Sequence, residues 1–183
     1  MFRFILCALF LAACYQTPTR LAENEIITSE NAVGENGKAV KFRVETVASN
    51  LEVPWAIAFA PDNQIFFTER PGRVRIIENG KLRSEPVFTV PDVEPSSESG
   101  LMDLSLHPNF AANKFVYLAY AYRGDGKRVR VVRYKFADNK FFEPKTIIED
   151  IPAAPNHAGT RARFGPDGKL YITTGDSTER EIA

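Results

Sequence analysis

The 183-residue sequence has few of the residues that build disulfide, metal or redox sites: two cysteines, two histidines and one tryptophan. Its 23 basic and 23 acidic side chains leave no net charge, which argues against a nucleic-acid-binding protein, since such proteins carry a basic face. The sequence also lacks a dinucleotide-binding glycine fingerprint, a phosphate loop and a serine elbow. No Cys or His pair has zinc spacing. We therefore predict no nucleic-acid partner and no nicotinamide, flavin or zinc chemistry from a local motif.

No apolar run is long enough to cross a bilayer as a helix, which takes about 20 residues. The run at residues 4–13 follows Arg3 and is followed by Cys14, so that residues 11–14 read LAAC. A basic start, a short apolar stretch and small residues are typical of an export signal. The final four letters resemble the lipobox of bacterial lipoproteins. We predict a lipoprotein signal peptide over residues 1–13 and lipidation of Cys14, with an ordinary cleaved signal as the alternative.

The segment that follows is polar, and residues 16–38 contain no aromatic side chain. We interpret residues 14–39 as the lipidated cysteine and a tether that holds a domain away from the membrane. A weak strand around residues 25–29 is the alternative. We expect an exported protein, lipid-anchored to a bacterial membrane on the periplasmic or cell-surface side. Cleavage would also remove Cys7, so no internal disulfide could form.

Residues 40–183 show the patterns of an all-β domain. Apolar and polar residues alternate from Val40 onward, for example at Val44 and Thr46. Asn79-Gly80 lies between two strand-like runs and predicts a type I′ hairpin, because both turn positions need positive φ. Residues 115–121 and 128–136 predict two more strands, joined by a turn at residues 123–126.

Three segments repeat one pattern, an apolar residue and a proline turn followed by an apolar strand. They read FAPDNQIFFT at 59–68, LHPNF at 106–110 followed by FVYL at 115–118, and FGPDGKLYIT at 164–173. The prolines are 47 and 58 residues apart, which suits one four-stranded propeller blade each. A β-sandwich is the alternative. The length allows about three blades, whereas propellers close with about four to eight, so we expect an incomplete arc from the front of a longer protein.

Five stretches together resemble one family in their order and spacing: LEVPWAIAF at 51–59, TERPGR at 68–73, SGLMDLSLHP at 99–108, NHAGTR at 156–161 and FGPDGKLY at 164–171. They resemble the soluble aldose sugar dehydrogenases that depend on pyrroloquinoline quinone (PQQ), also called the glucose/sorbosone dehydrogenase family. The resemblance implies a six-bladed β-propeller with PQQ near its axis and Ca²⁺ beside it. It implies oxidation of the anomeric hydroxyl of an aldose to a lactone and an external electron acceptor. The main cofactor ligands would lie beyond residue 183, so we expect the chain alone to be inactive.

The resemblance places His157 at the position of the general base. Imidazole suits that task because its unperturbed pKa lies near 6.5, so it gains and loses protons readily. Without the flanking match, His157 would be interpreted as a loop histidine with no role. His107 lies in the second proline turn and is interpreted as a turn residue.

The resemblance also implies substrate-binding roles for Glu98, Asn156 and Arg161. Glu98 stands where family members carry a sugar-binding glutamine, and a solvated loop acid is its alternative. Asn156 stands where some members carry an acidic residue that orients the base or the sugar. Arg161 matches an arginine of the family motif, with a structural ion pair as its alternative. Thr160 replaces a glycine of that motif and would be strained if the position needs positive φ.

Two other functions stay open from the residues. One is a non-catalytic, lipid-anchored propeller that binds a sugar or a protein, since a fold does not fix a function. The other is a metal-dependent lactonase, which would need clustered acidic and asparagine ligands. Asp167 and Asp176 are the nearest candidates, but they fit a turn and a strand end better.

Overall fold

The computed structural model describes residues 44–179. The predicted signal peptide, Cys14 and the whole predicted tether (residues 14–39) therefore lie outside the described residues and stay predictions. The described elements belong to a compact unit, Val47–Ala183. They are β1 (Pro54–Phe59), β2 (Ile65–Glu69), β3 (Arg73–Glu78), β4 (Lys81–Leu82), β5 (Phe88–Thr89), β6 (Leu101–Leu106), α1 (Phe110–Asn113), β7 (Phe115–Gly124), β8 (Gly126–Ala137), β9 (Lys140–Pro152), β10 (Thr160–Phe164) and β11 (Leu170–Thr174).

The prediction of an all-β domain is confirmed, and the strands form three antiparallel sheets along the chain. The first has the order β1-β2-β3-β4 with β5 on β3, the second has the order β6-β7-β8-β9, and the third is the hairpin β10-β11. The described residues thus hold two sheets and one hairpin, where we predicted about three blades. Within residues 44–179 no helix is long and apolar enough to cross a membrane.

Each repeated proline segment is the turn between the first and second strands of its sheet. The same backbone hydrogen bond closes all three turns at 2.9–3.0 Å, from Ala60 N–H to Gln64, from His107 N–H to Phe115 and from Gly165 N–H to Lys169. In the first and third turns the aspartate after the proline accepts a backbone N–H two residues later. In the second turn the short helix α1 is inserted.

The second strand of the middle sheet, β7, is buried on both faces over most of its length. Val116, Leu118 and Tyr120 of β7 belong to the core shared with the first sheet. Tyr117 and Ala119 of the same strand pack against Phe164, Leu170 and Ile172 of the third hairpin. Strand β7 therefore lies between its two neighbouring sheets.

The predicted turns are present at two hairpins, whereas one predicted strand segment is not formed. Asn79 and Gly80 have φ angles of 52° and 73° and join β3 to β4, which confirms the type I′ turn. Strands β7 and β8 pair up to Gly124 and Gly126, so the turn within residues 123–126 is tight. The alternating pattern at residues 44–46 does not form a strand, because alternation alone supplies no partner strand to bond with.

Candidate functional site

Three loops meet at one end of the sheets: residues 96–99 before β6, residues 155–159 before β10 and residues 175–178 after β11. Because β10 and β11 are antiparallel, the start of the first lies beside the end of the second, with Thr160 opposite Thr174. The pairing continues one step further, where Gly175 N–H donates to the Gly159 carbonyl at 2.9 Å. This register brings His157 next to Asp176.

His157 is held at three points. Its backbone N–H donates to Glu98 Oε2 at 2.8 Å, and its carbonyl accepts from Ser177 N–H at 3.0 Å. Its ring Nδ1 lies 3.0 Å from Asp176 Oδ1. The imidazole is nevertheless 59% exposed, so the ring is oriented by the protein and open to a ligand.

The pairing with Asp176 decides which ring nitrogen of His157 is free. The hydrogen bond from Thr178 N–H, and then that from His157, lower the pKa of the Asp176 carboxyl, so Asp176 is ionised at neutral pH. An ionised carboxylate only accepts hydrogen bonds, so Nδ1 of the neutral imidazole must carry the proton. The lone pair is then on Nε2, which is the state that a general base needs.

Sequence reasoning gave Asp176 only a strand-end role and missed this contact. The two residues are 19 positions apart, and no spacing rule connects them. A usable signal was present, however, in the turn that the FGPDGKLYIT segment predicts. Counting outward from that turn along a two-stranded hairpin places the residues just before β10 beside those just after β11.

Gly175 makes the close approach of the two loops possible. A Cβ at this position would lie 2.0 Å from the His157 carbonyl oxygen and 2.8 Å from its carbonyl carbon, which no side chain can tolerate. His157 itself has φ of 54°, in the left-handed region that residues with a Cβ seldom adopt. The backbone at the imidazole is thus fixed in an uncommon conformation by its neighbours.

The structure brings Glu98 and Asn156 to His157. Glu98 accepts the His157 N–H through its carboxylate, and Asn156 Oδ1 accepts a hydrogen bond from Ser97 Oγ. Backbone N–H groups of Glu98 and Ser99 both donate to the Pro155 carbonyl, at 3.1 and 3.3 Å. The contacts place both predicted side chains in the candidate site, and their binding of a sugar stays a prediction.

Arg161 forms an ion pair with Asp103. Its Nη1 lies 3.2 Å from Oδ1 of Asp103, a carboxylate of β6 with no exposed surface. Arg163 Nη1 and Ala162 N–H bond the other oxygen of Asp103, at 2.6 and 2.7 Å. The structural ion pair that we held as the alternative for Arg161 is present, and its substrate-binding role stays a prediction.

His107 and Thr160 both have structural surroundings that explain their residue types. His107 lies in the second proline turn as predicted, where its Nδ1 accepts from Asn109 N–H at 3.0 Å. Its ring packs against Phe164 of the third hairpin, so it contributes to packing between sheets. Thr160 is not strained: it lies in β10 without a positive φ, and its hydroxyl donates to the Ala158 carbonyl.

Over residues 44–179 there is no group of three or more His, Cys, Asp or Glu side chains that could hold a metal ion. No residue in this range is therefore assigned to Ca²⁺.

Comparison with known proteins matches the chain to the sugar dehydrogenases. The family model for glucose/sorbosone dehydrogenase matches residues 51–183. The aldose sugar dehydrogenase YliI of Escherichia coli is 36% identical over 147 residues, which cover 76% of this chain and 40% of that protein. Quinoprotein glucose dehydrogenase B of Acinetobacter calcoaceticus is 28% identical over 160 residues, covering 80% of this chain and 33% of that protein.

A solved structure gives the same result for the fold. The PQQ-bound aldose sugar dehydrogenase of Streptomyces coelicolor superposes with a TM-score of 0.69 at 30% identity, covering 75% of this chain and 42% of that chain. The structural neighbours are β-propeller PQQ dehydrogenases, which confirms the prediction of a partial propeller. The chain spans about two fifths or less of the length of these proteins. The match to the family model covers well over half of the sequence, and the chain therefore belongs to the glucose/sorbosone dehydrogenase family.

Proposed function

We propose that this chain supplies the proton-accepting residues of a PQQ-dependent dehydrogenase, which oxidises the anomeric hydroxyl of an aldose to a lactone. The observation that carries the proposal is the His157–Asp176 pair. In the neutral imidazole, this pairing keeps the proton on Nδ1 and leaves the Nε2 lone pair of an exposed ring free, beside the three loops. The family membership supports sugar oxidation as the reaction.

The chain's own residues perform the proton half of this reaction. Nε2 of His157 accepts the proton of the anomeric hydroxyl, and the resulting imidazolium is stabilised by the ionised carboxylate of Asp176. As the oxygen forms its double bond to the anomeric carbon, a hydride leaves that carbon. The bound quinone would supply the two-electron acceptor for this hydride.

The residues around His157 fit the substrate side of the site and not the cofactor itself. The quinone bears carboxylates, whereas the side chains bonded to His157 are the carboxylates of Glu98 and Asp176. The two arginines that follow in the chain, Arg161 and Arg163, are paired with Asp103. We assign no residue of 44–179 to the quinone or to Ca²⁺, and we propose that both bind through other parts of the protein.

The test uses the complete gene product, loaded with PQQ and Ca²⁺ and assayed with glucose and an artificial electron acceptor. We expect His157→Ala to lower kcat by about 10²–10⁴-fold, the usual contribution of a general base. Asp167→Asn is the control and should keep activity, because Asp167 lies in the turn at the far end of the same hairpin from His157. Full activity of the His157→Ala variant would contradict the proposal.

A non-catalytic propeller is separated from the enzyme by calorimetry with the quinone. The enzyme should bind it at micromolar or lower concentration, and a well-folded protein that binds a sugar but no quinone would favour the alternative.

We also propose export and lipid anchoring through Cys14. Labelled fatty acid should then enter the wild-type protein but not a Cys14→Ser variant, and equal labelling would contradict the anchor.

A further inference from the structure

Glu98 does more than line the candidate site. Its carboxylate accepts the backbone N–H of His157 across 59 positions of sequence. The other two contacts of His157 come from Asp176 and Ser177, which follow the adjacent strand β11. Glu98, in the loop before β6, thus links the second sheet to the backbone of His157, the proposed base, by a hydrogen bond.

The loop that carries Glu98 is fixed on both sides. Backbone N–H groups of Glu98 and Ser99 bond the Pro155 carbonyl, and Ser97 Oγ bonds Asn156. Ser97 has φ of 49°, so this loop, like the one that carries His157, adopts a left-handed backbone. The loop therefore holds the carboxylate beside the His157 N–H, although Glu98 itself is exposed to solvent.

We propose that Glu98 is a positioning residue, whose carboxylate holds the left-handed backbone of His157 so that the ring reaches Asp176. The inference rests on the proposed function only in naming His157 as the base. Loss of the acceptor would free the His157 N–H, and the ring would then leave the carboxylate that keeps the proton on Nδ1. Glu98 would act on the reaction through His157, whatever contact it also makes with a sugar.

The tautomers of the two histidines provide a direct readout. His157 should carry its proton on Nδ1, because Asp176 accepts there. His107 should carry its proton on Nε2, because its Nδ1 accepts from Asn109 N–H. The sequence has only these two histidines, so ¹⁵N NMR of the chain at neutral pH reads both, and His107 reports whether the fold is intact.

Two substitutions separate the hydrogen bond from the charge. Glu98→Gln keeps an oxygen that can accept the His157 N–H, and we expect the Nδ1-protonated form to persist. Glu98→Ala removes the acceptor, and we expect most of that form to be lost, as in the reference variant Asp176→Ala, which removes the acceptor of Nδ1–H. The His107 signal should stay unchanged in all three. If Glu98→Ala alters His107 as well, Glu98→Met keeps the side-chain length, removes the acceptor and must give the same loss.

Two results would overturn the inference: retention of the Nδ1-protonated form in the variants without an acceptor, or equal loss in Glu98→Gln and Glu98→Ala. The second result would show that the charge acts and the hydrogen bond does not. The measurement needs neither quinone nor sugar. A failure of dehydrogenase activity in the complete protein would therefore leave this result standing, and the reverse is also true.

Discussion

The same aromatic position in the three repeated hairpins has three different environments. The shared turn hydrogen bonds make Phe66, Tyr117 and Tyr171 equivalent, each two residues after the carbonyl that closes its turn. Phe66 is fully buried against the second sheet, and Tyr117 is 8% exposed against the third hairpin. Tyr171 is 56% exposed. Each of the three hairpins therefore has a large aromatic residue at this position, but the exposed fraction of that residue rises from the first hairpin to the third.

The repeated sequence pattern thus determines which strand position carries the aromatic residue. Whether that residue is buried depends on whether another sheet packs against its side of the strand. For Phe66 the next sheet supplies ring contacts from Phe110 and Phe136. Tyr171 instead donates through its hydroxyl to Asp167 of its own turn, at 3.0 Å. The energetic value of each aromatic ring should follow these contacts, and substitutions in the first sheet and in the third hairpin should therefore differ in their effects.

The largest effect is expected in the first hairpin. Phe66→Ala should lower the free energy of unfolding by about 3–5 kcal/mol, the usual cost of removing a buried ring. Tyr171→Ala, at the equivalent position, which is exposed in this chain, should change the chain's free energy of unfolding by no more than about 0.5 kcal/mol. Urea unfolding followed by circular dichroism measures both. Similar losses in the two variants would show that the third hairpin is buried in solution, contrary to the structure.

The next effect concerns the joint between the middle sheet and the third hairpin. Asp103→Ala removes a buried acceptor from Ala162 N–H, Arg161 and Arg163, and should cost about 1.5–3 kcal/mol, as for hydrogen bonds to charged groups. The loss should be confined to β10 and β11. Hydrogen exchange measures it as faster exchange there, while amides of β7 and β8 keep their protection.

Asp103→Asn serves as the control for that variant. It keeps one oxygen that can accept the Ala162 N–H, so it should lose less protection than Asp103→Ala. If β7 exchanges faster to the same extent as β10 in Asp103→Ala, Asp103 supports the whole core, and the comparison between the two regions fails.

The parts of the fold that depend on residues close together in the sequence could be predicted from the sequence. The proline turns and Asn79-Gly80 are short-range signals that the structure confirms. Alternation is confirmed at residues 128–136, which lie in β8, but not at residues 44–46. The site was only partly readable. His157, Glu98 and Asn156 were named through a family resemblance, whereas their hydrogen bonds join loops 59 positions apart. Such contacts depend on how sheets stack, and no local pattern records that.

The third prediction tests the two glycines of the site hairpin. Gly175→Ala would push a Cβ into the His157 carbonyl, so we expect a loss of about 1–3 kcal/mol, typical of overpacking. Gly159→Ala meets no atom within 4 Å and has no positive φ, so its effect should stay within about 0.5 kcal/mol. Thermal unfolding of both variants measures this. Equal stability of the two would contradict the close approach at Gly175.

The smallest effect is expected from acid. Burial would raise the pKa of the Glu69 carboxyl, but hydrogen bonds from Arg73, Glu52 N–H and Arg75 outweigh it and lower that pKa. A carboxyl with a lowered folded pKa binds fewer protons than in the unfolded chain. Its stabilisation is thus complete above the unfolded pKa and is lost as pH falls through the folded pKa.

The pKa of Asp167 is lowered as well, first by the hydrogen bond from Lys169 N–H, but this carboxyl belongs to the exposed turn of the third hairpin. Below about pH 5, near the ordinary range of carboxyl groups, Glu69→Gln should therefore flatten the pH dependence of global unfolding. Asp167→Asn should flatten only the acid-induced exchange of β10 and β11. Urea titrations between pH 7 and pH 3 measure the first effect, and hydrogen exchange measures the second. If Glu69→Gln keeps the wild-type pH slope, the cluster around Glu69 does not stabilise the first sheet, and acid sensitivity does not distinguish the two regions.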